Sequence, residues 1–465
     1  MSVMNTAIAG SFRDPSGFLF EKNGILYRQI NSCYRPNYEV FMNSGLYRAL
    51  VRQAWLIPHE EIEVAEPDNL VYKVIQPERI DMISYPYEWS FSQLKDAALL
   101  TLDIQRMALQ KNLSLKDASA YNVQFHKGRP IFIDTLSFER YQEGEPWVAY
   151  RQFCQHFLAP LALMAKTDIS LNQLLVNNID GIPLSLAGRL LPFKTRFSIS
   201  LGLHIHLHAR SQIRNAGRSV TEQFSKKTFS KKAFIALIDS LRTSINSLKW
   251  VPENTEWIDY YDANNNYQDN AMASKDRIVD AFMQRFAIHI AWDLGANTGR
   301  FSRIAAKYCK MVCAWDIDTA CVELNYLACR QKGEEKVLPL LLNLATPSPA
   351  IGWGNSERMS LQDRGPADMV LALGLIHHLS ISHNLPLEII ARFLAKISNK
   401  LIIEFVQKED SQVKKLLQNR KDIFPGYEQD NFERIFRCHF DLIDQQPIPD
   451  SRRTVYLFST RHKAN

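Results

Sequence analysis

The sequence predicts an α/β chain: a doubly wound domain over 251–465, preceded by an α+β domain over 1–175, with a basic helical connector over 176–250 between them. Three observations carry this prediction. First, the apolar run Ile288–Leu294 breaks into the turn Gly295-Ala296-Asn297-Thr298-Gly299, and a helical pattern follows over 301–307. Second, the apolar run 311–316 ends in an acid, Asp316, about 20 residues beyond the glycines, where a strand-helix-strand unit places a ribose-holding carboxylate. Third, further apolar runs at 337–342, 367–373 and Lys400–Val406 alternate with helical stretches, the pattern of a mainly parallel sheet.

The first run reads as a buried strand, and its turn as a nucleotide-cofactor loop. Gly295 and Gly299 allow a tight turn and close backbone approach, and the following helix offers its N-terminus. Loops that cradle a dinucleotide run Gly-x-Gly-x-x-Gly. Here Asp293 opens a different pattern, Asp-x-Gly-x-Asn-x-Gly, with Asn297 where a central glycine would stand. Asparagine tolerates the left-handed region, so the turn survives.

This pattern resembles motif I of class I S-adenosylmethionine-dependent methyltransferases, whose cofactor has no pyrophosphate to cradle. The resemblance implies a Rossmann-like domain with S-adenosyl-L-methionine as cofactor. It also implies that Asp293, Gly295, Asn297 and Gly299 line the cofactor and that Asp316 takes the ribose hydroxyls. The third run ends at Asn343, where such enzymes often carry an acid that reads the adenine amino group; an amide oxygen accepts that hydrogen without charge. The stretch 367–379 resembles motif IV, a strand ending beside the transferable methyl group, and His377 and His378 follow it. Methyl transfer needs in-line positioning, and a base only if the acceptor must lose a proton. Either histidine is suited to that task, since imidazole titrates near neutrality. Glu404, near the end of the fifth strand, is expected to be structural, and 453–459 reads as a late edge strand. Upstream, 257–261, Tyr267 and Lys275 resemble a segment that folds over the cofactor, with Tyr267 and Lys275 reaching its carboxylate.

Bulk properties set limits. The chain has 465 residues, 46% of them hydrophobic, enough for two cores. No apolar run approaches the roughly 18–20 residues of a membrane span, and no basic-then-apolar leader opens the chain, so a cytoplasmic protein is expected. Seven cysteines, with no Cys-x-x-Cys pair, indicate neither a zinc site nor a disulfide framework. The formal charge of +6 is unevenly spread: residues 189–249 hold 12 Lys or Arg against Glu222 and Asp239, a surplus of ten, leaving the remainder at −4. That segment suits an anionic partner, or else is a solvated connector. On a strand, His204, His206 and His208 would share one face as metal ligands, but no carboxylate or cysteine stands nearby and no metal site is assigned.

The N-terminal part carries a second constellation. Phe91–Gln110 has helical spacing, a hairpin turn is expected at 126–129, and Asp117, Asn122 and Asp134 fall in the order of the catalytic segment of kinases. Leu115 and Thr135 depart from that pattern, no glycine-rich phosphate cover is visible, Arg28 replaces the phosphate-binding lysine, and Lys73 is unplaced. The alternative is an accessory domain whose polar turn caps a hairpin. Most of the chain also resembles bacterial two-part proteins classed as S-adenosylmethionine-dependent methyltransferases and related to host-specific nodulation proteins, through 11–17, 84–89, 136–140 and 343–349. The expected reaction is methyl transfer to an unidentified oxygen or nitrogen acceptor. The rivals are a cofactor-binding module without catalysis and a kinase-like phosphotransferase in the N-terminal half.

Overall fold

The computed structural model describes residues 7–63, 70–207, 229–252, 269–418 and 421–461. Two compact units divide the chain: Met1–Val251 with Ile351–Arg358, and Pro252–Ala350 with Met359–Asn465.

The first unit opens with a four-stranded antiparallel sheet, order β1-β2-β4-β3, from β1 (Gly17–Lys22), β2 (Ile25–Asn31), β3 (His59–Ile62) and β4 (Val71–Pro77). Asn23 and Gly24 both have positive φ, the tight two-residue hairpin whose backbone twist matches that of the strands it joins. Helix Phe91–Gln110 has the ends expected from its spacing. Ser90 caps it by accepting from the Gln93 N–H, while the Gln93 side chain accepts from the Ser90 N–H at 2.9 Å. The pair β5 (Leu113–Leu115) and β8 (Phe138–Arg140) follows, enclosing the hairpin of β6 (Val123–His126) and β7 (Arg129–Phe132). That hairpin turns at Lys127 and Gly128, both left-handed.

The described parts of the basic segment pack within this unit. Helix Lys231–Ser247 buries Phe234, Ile238, Leu241 and Ile245 along one stripe. It lies along Phe91–Gln110, with Arg106 donating to Asp239 at 2.9 Å and Lys95 donating to the Leu248 carbonyl at 2.8 Å. His204 and His206 lie on a helical turn rather than a strand, so they do not form one ligand face. His204 bonds the Tyr150 hydroxyl and Ser240, and His206 bonds Thr195, while His208 lies outside the described residues. The first unit is discontinuous in sequence. In the 351–358 excursion, Glu357 accepts from Arg13 through both oxygens at 2.8 and 2.7 Å, and the Arg358 guanidinium lies 4.3 Å from the Tyr121 ring centre.

The second unit is a seven-stranded sheet of β9 (Ile288–Leu294), β10 (Cys309–Asp316), β11 (Val337–Leu341), β12 (Met369–Ala372), β13 (Lys400–Val406), β14 (Phe440–Pro447) and β15 (Arg453–Thr460). Its order is β11-β10-β9-β12-β13-β15-β14; β9 to β13 are parallel, and β15 is antiparallel to both neighbours. The C-terminal strand is therefore interior, not an edge: β14, polar on its exposed side, covers it. Helices pack on both faces. Ala291, Val312, Leu371, Ile402 and Leu457 meet helices Asp269–Met283 and Arg300–Ala305. On the opposite face, Phe405, Tyr456 and Phe458 stack with Phe432 and Phe436 of helix Gln429–Phe436.

One buried charge chain crosses the first of these faces. Lys275 donates to Glu404 at 2.7 Å, Arg453 reaches the other Glu404 oxygen at 3.4 Å, and Arg453 also pairs with Asp410 at 2.8 Å. Glu404 is thus structural, as its position in the sequence suggests. Two cations against two anions leave no net buried charge, and the geometry must offset a large desolvation cost. Glu404→Ala is expected to destabilise the second unit by about 3–5 kcal/mol, because two buried cations lose an anion. Replacing Lys275 by Met and Glu404 by Leu together is expected to cost less than Glu404→Ala alone; urea unfolding of both variants measures the difference.

Candidate cofactor site

The order of strand addition reverses between the parallel neighbours β9 and β12, the point at which parallel α/β sheets open a crevice beyond their strand C-termini. The loop after β9 and the loop after β12 meet there: a Cβ built on Gly295 would lie 3.4 Å from Leu375. Gly295, Asn297 and Gly299 have φ of 75°, 52° and 85°, so three of five loop residues are left-handed. Asn297 does adopt the conformation that its place in the motif requires. At Gly299 only glycine fits, since a Cβ would fall 2.6 Å from the Asn325 amide and from the Arg303 guanidinium.

The loop's amides are all engaged. The Gly295 and Ala296 N–H groups donate to the Trp315 carbonyl at 2.9 Å each, and the Asn297 N–H donates to the Asp316 carboxylate at 2.7 Å. Thr298 N–H donates to the Asn297 side chain at 2.6 Å, and Gly299 N–H to the Ala296 carbonyl at 2.8 Å. The backbone that would cradle a pyrophosphate in a dinucleotide enzyme is instead hung from the end of β10.

Asp316 is half-buried at that end. Its second oxygen accepts from the Asp318 N–H at 2.8 Å, and burial pushes its carboxyl up to about 6 against those bonds. Asp293 is only 2% exposed and holds the loop from beneath: its carboxylate accepts from the Ser302 hydroxyl at 2.6 Å, and burial pushes it up to about 6 as well. Ser302 is the partner that sequence reading missed; a serine in the first turn of the helix was the available signal. Asn343 follows β11, half-buried, with its side-chain oxygen accepting from the Ala345 N–H at 2.9 Å.

His377 begins the helical turn after β12. It is 1% exposed, and its Nδ1 has no hydrogen-bond partner. Burial first, and then the nearby His378, Arg453 and Lys275, hold its pKa well below the ordinary histidine value, so the ring is neutral. His378 is half-buried, its ring centre 4.2 Å away.

Other residues singled out from sequence lie elsewhere. Lys275 does not reach outward for a carboxylate; it is buried against Glu404 and the Phe301 ring. Tyr267 and 257–261 lie outside the described residues. In the first unit, Asp134 accepts from Arg28 at 2.6 Å, from the Leu136 N–H at 3.1 Å and from the Ser137 hydroxyl. Asp117 accepts from the Ser119 N–H at 2.9 Å, and Asn122 donates to Ser137 at 3.3 Å. These bonds close turns around the β6–β7 hairpin and occupy both Asp134 oxygens. Lys73 sits on β4, paired with Glu61. A kinase-like fold is not established by this arrangement of an antiparallel sheet and hairpin.

The sheet order, the left-handed loop and the acid at the end of the second strand define a Rossmann-like fold in the second unit. The chain belongs to the family of nodulation protein NoeA: it is 35% identical to NoeA of Rhizobium meliloti (strain 1021) over 461 residues, 97% of this chain and 95% of that protein. No family profile matches the chain. Among solved structures it is similar to the N-methyltransferase NodS from Bradyrhizobium japonicum WM9, with TM-score 0.30 and 9% identity over 42% of this chain and 99% of that one. It is also similar to magnesium protoporphyrin IX methyltransferase from Synechocystis PCC 6803, with TM-score 0.30 and 16% identity over 43% and 91%.

Gly299→Ala is expected to destabilise the second unit by about 2 kcal/mol or more, from a left-handed Cβ and its clash, whereas Asn297→Gly stays within about 1 kcal/mol. Thermal unfolding of the two variants checks the ordering.

Proposed function

We propose that the chain is an S-adenosylmethionine-dependent methyltransferase acting on an oxygen or nitrogen nucleophile. The observation that carries this reading is the loop whose five amides are engaged within the protein. It supports a cofactor that approaches the turn without phosphates. When bound, S-adenosylmethionine supplies an electrophilic methyl group on a sulfonium.

The residues present fit that cofactor. Asp316 keeps acceptor capacity beyond its two backbone bonds and would take the ribose hydroxyls. Gly295 would let the backbone come close to the methionine portion, while Gly299 keeps the turn left-handed against Asn325 and Arg303. Asn297 holds the turn, and Asp293 contributes through Ser302 rather than by contact. Asn343 would accept from the adenine amino group through the lone pair that its own turn leaves. His377, neutral and with an unpartnered nitrogen, would accept a hydrogen bond from the acceptor and aim its lone pair. A pKa held well below the ordinary value makes it a better orienting group than a proton store. His378 is the second candidate for that role.

Calorimetric titration with S-adenosylmethionine is expected to show micromolar-range affinity, about −8 kcal/mol. Asp316→Ala is expected to weaken it about tenfold or more, while His377→Ala leaves it unchanged. Unaltered affinity in Asp316→Ala overturns the site assignment. Affinity is also expected to fall as pH drops through about 6, where the Asp316 carboxyl gains its proton and loses acceptor capacity. Conversion of the cofactor to S-adenosylhomocysteine separates an enzyme from a module that only binds it.

A further inference from the structure

Residues 189–207 of the first unit leave large apolar side chains exposed beside a buried polar clamp. Thr195, His204 and His206 are buried, and Thr195 bonds the His206 ring at 2.9 Å, clamping the turn Phe193–Phe197 to the helical segment that ends at Leu207. Leu191, Leu201 and Ile205 are buried, whereas Phe193, Phe197, Leu203 and Leu207 are 65%, 76%, 48% and 55% exposed. The two phenylalanine rings pack edge-on, 5.5 Å apart, and Leu203 and Leu207 are one helical turn apart. Isolated exposed apolar residues are ordinary. A cluster of large ones over a buried polar clamp marks a contact surface.

Charge states what the surface contacts. Arg189, Lys194 and Arg196 are exposed among these residues, Arg196 lying 4.9 Å over the Phe193 ring. The stretch 189–207 contains no acid, and it opens the segment 189–249 with its surplus of ten positive charges. Nucleic acid would use the cations and aromatic rings but gains little from exposed leucines. A bilayer uses all three: cations at lipid phosphates, aromatic rings at the headgroup level, and aliphatic side chains below it. No described helix is long and apolar enough to cross a membrane, so such a contact lies along the surface.

We propose that 189–207 is an interfacial surface by which the protein lies on a bilayer bearing anionic lipid. Flotation of the full chain with vesicles tests it, comparing phosphatidylcholine alone with phosphatidylcholine mixed with phosphatidylglycerol. Stronger association with the mixed vesicles is expected, weakening as salt rises. Phe193→Ser with Phe197→Ser is expected to weaken it about tenfold or more at any salt. Lys194→Gln with Arg196→Gln is expected to remove the preference for anionic lipid. All four side chains are exposed, so the unfolding midpoint is expected to hold in both variants. Absence of association with the mixed vesicles, or association unaltered by either pair, overturns the proposal. It also fails if the serine pair instead converts a dimer to a monomer with vesicle association intact. Capture of polyuridylate RNA without vesicle association overturns it in favour of a nucleic-acid surface.

Discussion

The hydrogen bond from the Asn297 N–H to the Asp316 carboxylate is the tie on which the second unit's crevice depends. With the two bonds to the Trp315 carbonyl, it fixes the loop after β9 to the end of β10. The loop enters the left-handed region three times in five residues, and these bonds across the strand ends, with two inside the loop, hold it there. The same bonds decide what the loop can receive. A turn whose amides are engaged has no donors to offer a phosphate, and the half-buried acid becomes its polar landmark. Asp316 both holds the loop and presents itself beside it.

A second constraint lies behind the crevice. The Lys275–Glu404–Arg453–Asp410 chain joins the first helix of the unit, two strands and the cap of helix Ser411–Leu417. Its two cations also bear on His377 and, after burial and His378, help to keep that ring uncharged. Scaffold and site chemistry are coupled through one line of charges.

Much of this was legible in the sequence because it is local. Glycine and asparagine at set spacing require left-handed backbone, apolar runs bounded by small residues read as buried strands, and Asp316 stands at a distance that one strand-helix-strand unit dictates. What was hidden depends on contacts between distant residues. Nothing in 453–459 says that β15 runs antiparallel between β13 and β14, because β14 alternates weakly and carries Asp441 and Asp444. Lys275 looked available because a lysine before the loop reads as surface, and only the fold places Glu404 against it. His204, His206 and His208 have strand spacing, but tertiary packing sets two of them in a helical turn with separate partners. In the first unit, Asn23-Gly24 was a readable hairpin signal, whereas the sheet order around it was not.

The excursion 351–358 gives the chain a property unlike that of two beads on a string. Its residues lie in sequence between two strands of the second unit, yet they belong to the first, with Glu357 bound to Arg13 and Arg358 over Tyr121. Neither fragment produced by cutting at residue 251 contains a whole first unit. A break there would strip the first unit of the carboxylate that binds Arg13 and of the guanidinium that faces Tyr121.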